Sequence, residues 1–167
     1  MKRLAIAVAM GSLTACGGGS PTAATPPAPP ANIAGPYNAT ITASSTCSAS
    51  LPVDTRSLIF VATITQTGAA VQMELVGKQG SVTVSGTVAG QTVTFPSLTF
   101  SETIGRGATL VASGSASVGA NGSITGTVNG TYQTSSGSSC NAANHQLEMV
   151  RLCPQPFGNG TALLPCP

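Results

Sequence analysis

From residue 35 onward the chain predicts an all-β domain, an antiparallel up-and-down meander closing as a small barrel of roughly eight strands, with a β-sandwich as the alternative. Three observations lead there. Apolar and polar residues alternate with period two in one segment after another, which turns one face of each toward a core and the other toward water. Thr, Ser, Val, Ala and Gly dominate and only 6% of residues are charged; β-branched side chains suit strands, and glycines suit turns or crowded spots. Between residues 53 and 153 the only proline is Pro96, so little interrupts strand pairing.

In chain order, Tyr37, Ala39, Ile41 and Ala43 alternate with Asn38, Thr40 and Thr42 as a first strand. Leu58, Phe60, Ala62 and Ile64 form one face of the second, and Ile59 and Val61 make its other face apolar too. A turn at Thr67-Gly68 leads to Val71, Met73 and Leu75, and then come Val82, Val84, Gly86 and Val88. A turn at Ala89-Gly90 leads to Val93 and Phe95, with Leu98 and Phe100 beyond Pro96. Leu110, Ala112, Gly114, Ala116 and Val118 follow. Asn121-Gly122 reads as a type I′ hairpin turn into Ile124, Gly126, Val128, Gly130 and Tyr132. In residues 145–153, Leu147 and Met149 share a strand face, although Leu147, Val150 and Arg151 would also line a short helix; the strand is preferred. Gly114, Gly126 and Gly130 on apolar faces fit a tightly curved barrel, where full-sized side chains would collide.

The residues before this domain divide into the parts of a secretory signal. Lys2 and Arg3 give a positive start, and an apolar run from Leu4 to Leu13 is too short to span a bilayer, which takes about 20 residues. The run ends in Leu13-Thr14-Ala15-Cys16, which resembles the lipobox of bacterial lipoproteins. The resemblance implies that residues 1–15 are removed and that Cys16 carries two or three acyl chains such as palmitate. A single chain would hold only marginally, whereas two or three anchor stably. The implied location is the bacterial cell envelope, with the membrane as partner through the lipid anchor. Gly17, where an Asp would retain the protein at the inner membrane, points to the outer membrane if the host is Gram-negative. Residues 16–34 then form the lipidated cysteine and a tether rich in Pro, Gly and Ala, which cannot bury enough surface to fold.

Loss of residues 1–15 removes Lys2 and Arg3, leaving Arg56, Lys78, Arg106 and Arg151 against Asp54, Glu74, Glu102 and Glu148. The side-chain charge of the mature chain is therefore close to zero. A nucleic-acid partner, which needs a basic face, is not expected.

Five cysteines minus Cys16 leave four, an even number in an oxidising compartment. Cys47 follows the first strand and Cys140 the seventh. In a closed eight-strand meander these strands run parallel on either side of the eighth, so their ends meet at one rim and a Cys47–Cys140 bridge is natural. Cys153 and Cys166 then close the Pro-rich C-terminal tail, residues 154–167, with Pro154, Pro156 and Pro165. Loop closure gives the long bridge about 4.5 kcal/mol and the tail loop about 3. With no Cys-x-x-Cys pair, a metal site is not expected.

Little in the chain speaks for catalysis, and neither catalytic residues nor a cofactor are expected. His145 is the sole histidine; Glu148, three residues on, falls on the opposite face of a strand. No Gly-x-Ser-x-Gly elbow is present. His145 is expected as a solvated rim residue, Asp54 and Arg56 at a rim, and Glu74 and Glu148 on polar faces. The Asn-x-Ser/Thr sequons, for example Asn38-Ala39-Thr40, carry little weight beside a bacterial signal.

The small meander with Gly35-Pro36-Tyr37 at its start is weakly similar to lipocalin-type, calycin-like barrels over residues 35–153, but it departs from their Gly-x-Trp signature, since the chain has no tryptophan. By analogy the resemblance implies a cup for an apolar ligand. The interior set Tyr37, Phe60, Met73, Phe95, Tyr132 and Met149 would line such a pocket, or equally fill an ordinary core. The chain is therefore expected to be a non-enzymatic envelope lipoprotein, binding either a small apolar ligand or an envelope protein or other component. The alternative is a structural or adhesive module without a ligand.

Overall fold

The computed structural model describes residues 27–77, 80–102, 108–157 and 160–167. The signal, Cys16 and the first part of the tether, together with Lys78 and Arg106, lie outside the described residues. Nine strands follow one another: β1 (Gly35–Thr42), β2 (Ser57–Thr67), β3 (Ala70–Gly77), β4 (Gly80–Ala89), β5 (Thr92–Glu102), β6 (Ala108–Val118), β7 (Ile124–Thr134), β8 (Ser139–Phe157) and β9 (Gly160–Pro165). Each pairs antiparallel with the next. A β1–β8 ladder from Tyr37↔Arg151 to Thr42↔Gln146 closes the first eight into a barrel, so the meander holds and the sandwich does not. Residues 145–153 lie within β8 and are strand throughout.

Alternation drives the packing. In β2, Leu58, Phe60, Ala62 and Ile64 face inward while Ser57, Ile59, Val61, Thr63 and Thr65 face out. Pro96 cannot donate to a ladder, and the β5–β6 register shifts between Phe95 and Leu98. That bulge lets residues three apart, Phe95 and Leu98, both enter the core.

The glycines of β6 and β7 set the curvature. In the register, Ala112 faces Gly130, Gly114 faces Val128 and Ala116 faces Gly126. A Cβ on Gly126 would stand 2.5 Å from the Ser115 carbonyl oxygen and 2.6 Å from Ala116 Cα, and one on Gly114 2.5 Å from the Thr127 carbonyl oxygen. The two strands approach so closely here that only hydrogen fits.

Two expectations need correction. The β6–β7 connection is not a type I′ turn: Asn121 keeps a negative φ and Gly122 alone is left-handed, at φ 77°. Gly122 N–H donates to the Gly119 carbonyl and Gly119 N–H to the Ser123 carbonyl, a three-residue loop in which glycine follows a type I-like turn. The tether ends earlier than residue 34. Ile33 is fully buried, Ala31 N–H donates to the Gly90 carbonyl (2.7 Å), and Gln66 grips both, accepting from Ile33 N–H and donating to the Ala31 carbonyl. The Pro-rich tail that the Cys153–Cys166 pair closes also carries a strand. Beyond β1, β8 runs on as a two-stranded ribbon with β9, from Leu152↔Pro165 to Phe157↔Gly160.

The barrel therefore has two distinct ends. At the entry rim lie the incoming chain, the β2–β3, β4–β5 and β6–β7 turns and the β8–β9 ribbon. At the far rim lie the β1–β2 loop, with short 3-10 turns at Ser45–Ala49 and Val53–Thr55, and the β7–β8 turn.

Candidate functional site

The two cysteine pairs sit at opposite rims. Cys47 and Cys140 stand at disulfide distance at the far rim, with Cα atoms 5.6 Å apart, and Cys153 and Cys166 at the entry rim, with Cα atoms 5.0 Å apart. Both are the pairs expected from strand order.

His145 is not a solvated rim residue. It is fully buried, on the inward face of β8 with Leu147 and Met149, while Glu148 points outward. Period two places it there, since His145, Leu147 and Met149 alternate with Gln146 and Glu148, and a second bulge follows on its other side. Between Val128↔His145 and Gly130↔Ala142 the β7–β8 register shifts, and β8 carries one more residue than β7. The imidazole fills the disrupted ladder. Nδ1 accepts from Ser44 N–H (3.1 Å) and Nε2 lies 3.0 Å from the Gly130 carbonyl oxygen. An Nδ1 acceptor and a carbonyl partner require a neutral ring with its proton on Nε2. Both nitrogens are thereby spent on backbone groups of β7 and of the loop after β1. The Ser44 hydroxyl donates instead to Asn144 Oδ1 (2.6 Å), so serine and histidine do not form a nucleophile–base couple.

The interior set lies where the alternation places it. Tyr37, Met73, Phe95, Tyr132 and Met149 have no accessible surface and Phe60 has 4%, all within one core that also holds Ile33 and Leu110. Side chains lining a cavity large enough for a ligand would expose surface to water-sized probes; these do not. Phe60 and Phe100 stack at 5.3 Å across that core. The Tyr37 hydroxyl donates to the Ile33 carbonyl (2.9 Å) and so ties the incoming chain to the first strand. Burial raises the Tyr37 pKa above its usual 10.0, and the nearby Arg151 guanidinium works against that rise.

Open concavities lie at the rims instead. At the far rim a cleft of about 490 Å³ is lined by Ser44, Ser48, Arg56, Asn144 and Gln146, among others. Arg56 is engaged there, donating to the carbonyls of Leu51 (2.9 Å) and Ser48 (2.6 Å), which holds the β1–β2 loop. At the entry rim a cleft of about 370 Å³ lies between Asn32, Gln91, the Gly119–Gly122 turn and Arg151. Arg151 follows Met149 on the inward face and reaches the barrel mouth, where Nη2 donates to the Ala34 carbonyl (2.6 Å). His145, Arg56 and Arg151 are thus the polar groups that lock the ends of the barrel. Of these, local sequence could have marked only Arg56, by its place before a strand.

The chain matches no protein-family model, and no curated protein and no solved structure shows significant similarity to it.

Proposed function

We propose that the chain is a membrane-anchored envelope lipoprotein whose β-barrel is a non-enzymatic module that engages another envelope component through its outer surface and rims. The observation that carries this reading is the cysteine arithmetic. Four cysteines form two pairs at disulfide distance, and the fifth is Cys16 of the lipobox-like Leu13-Thr14-Ala15-Cys16. Paired cysteines belong to an oxidising compartment, which an exported chain reaches. The surface-free interior set favours contacts outside the barrel over an apolar ligand within it.

The test is mass spectrometry of the chain extracted from the membranes of an expressing diderm bacterium. The expected mature chain begins at Cys16 and carries acyl mass there, and Cys16→Ser abolishes both cleavage and acylation. A mature chain that is cut elsewhere or is free of lipid overturns the anchor. Under native conditions the expected mass is that of the acylated polypeptide alone. A co-purifying apolar metabolite would restore the ligand reading.

A further inference from the structure

We infer that the entry rim is a membrane-docking face, at which the β8–β9 ribbon meets, edge-on, the phospholipid bilayer that holds the anchor and brings the leucines of both its faces, Leu163 and Leu164, to the lipid. The inference rests on the lipid-anchor reading and adds an orientation and a second contact to it.

The ribbon brings exposed leucines to the entry rim. From Leu152 to Pro167 it carries no charged side chain, and it contains Pro154, Pro156 and Pro165. Leu163 and Leu164 are 52% and 44% exposed. Successive strand residues point to opposite faces, so both faces of the ribbon present a leucine. The ribbon continues β8 out of the barrel, and the pair Cys153–Cys166 and the bond from Cys166 N–H to the Arg151 carbonyl (3.0 Å) fasten β9 to β8 at its base. It is therefore held out from the entry rim without being covered by it. Exposed apolar surface of this kind marks a contact site.

The path of the chain identifies what the ribbon meets. Ala31 and Ile33 are clamped at the entry rim, so the segment back to Cys16 leaves from the rim that bears the ribbon. Residues 17–30 span at most about 50 Å even when fully extended. An acylated Cys16 would thus tether the chain by its entry rim, so that the effective concentration of bilayer surface there is high and even a weak apolar contact is occupied.

The chain has no tryptophan, so one introduced indole reports its own surroundings. Acylated full-length Leu164→Trp is reconstituted into vesicles of phosphatidylethanolamine and phosphatidylglycerol carrying doxyl-labelled lipid, with Leu163→Trp as a second reporter. Ile59→Trp, on the barrel wall at a site 63% exposed, is the reference. Flotation is measured on the same samples. The expected result is co-flotation, with several-fold stronger quenching and a blue-shifted emission for the ribbon indoles relative to Ile59→Trp. Co-flotation with unquenched indoles at both ribbon positions overturns the docking face and leaves the anchor standing. Equal quenching at Ile59 shows the barrel lying on its side and overturns the orientation. A chain that is acylated nowhere and does not float overturns the anchor reading and this inference together.

Discussion

His145 shows how one buried polar side chain can do the work of several backbone bonds. Its ring joins Ser44, which is 101 residues away in sequence, to Gly130 across the β7–β8 bulge. Removal would orphan a buried N–H and open a void, each costing about 1–3 kcal/mol. His145→Ala should therefore lower the unfolding free energy by about 3 kcal/mol, read as a shifted urea midpoint at unchanged slope. A loss below about 0.5 kcal/mol, the range of ordinary surface changes, would show that the staple is idle. Tyr37 offers a test with a sign. Its folded-state pKa lies above the unfolded value, so its contribution is complete below pH about 10 and is lost as pH rises through the folded pKa. Tyr37→Phe should flatten that alkaline decline in unfolding free energy, while weakening the barrel at neutral pH through loss of the bond to Ile33. An alkaline decline identical to the parent's would refute the assignment.

Within the elements, the β6–β7 pair is where curvature is decided. A Cβ on Gly130 would collide with the Val111 carbonyl and with Ala112. Gly130→Ala should thus destabilise by about 1–3 kcal/mol, since backbone cannot yield as a flexible side chain can. Ser113→Ala, on the outer face of β6, should stay within about 0.5 kcal/mol. If the two variants melt together, the close approach does not limit the barrel. The crowding was legible beforehand from glycines standing on apolar faces, and so were the core faces of β1 to β7, because alternation is a local signal. The face of His145 was legible from its alternation with Leu147 and Met149, but its satisfaction inside the barrel was not, because its partners Ser44 and Gly130 are distant in sequence. Nor was the docking of Ile33. A lone isoleucine after a proline-rich run has no periodicity, and Gln66, which accepts its N–H, gives no local sign of that role.

For the molecule as a whole, strand order was legible because short turns leave few alternatives to a meander. Closure was legible because a meander must close on itself or stack as two sheets, and glycines on apolar faces favoured the tightly curved barrel. The β9 ribbon was hidden by its prolines, which argue against strand in the middle of a sheet but are tolerated where one edge faces no partner. Neither rim cleft had a sequence signature, since each is assembled from loops that only the closed barrel brings together.

The β1–β8 ladder has a bearing on time as well as shape. Tyr37 must wait for Arg151 before the first strand gains its second neighbour, and Cys47 must wait for Cys140. A seam sewn between the first and eighth strands forms only after a long loop has been closed, which slows that step. Nearly the whole domain must therefore emerge before the barrel can close. Under the proposed export as an unfolded strand, that delay is an advantage. The seam that finishes the barrel also keeps it from forming too soon.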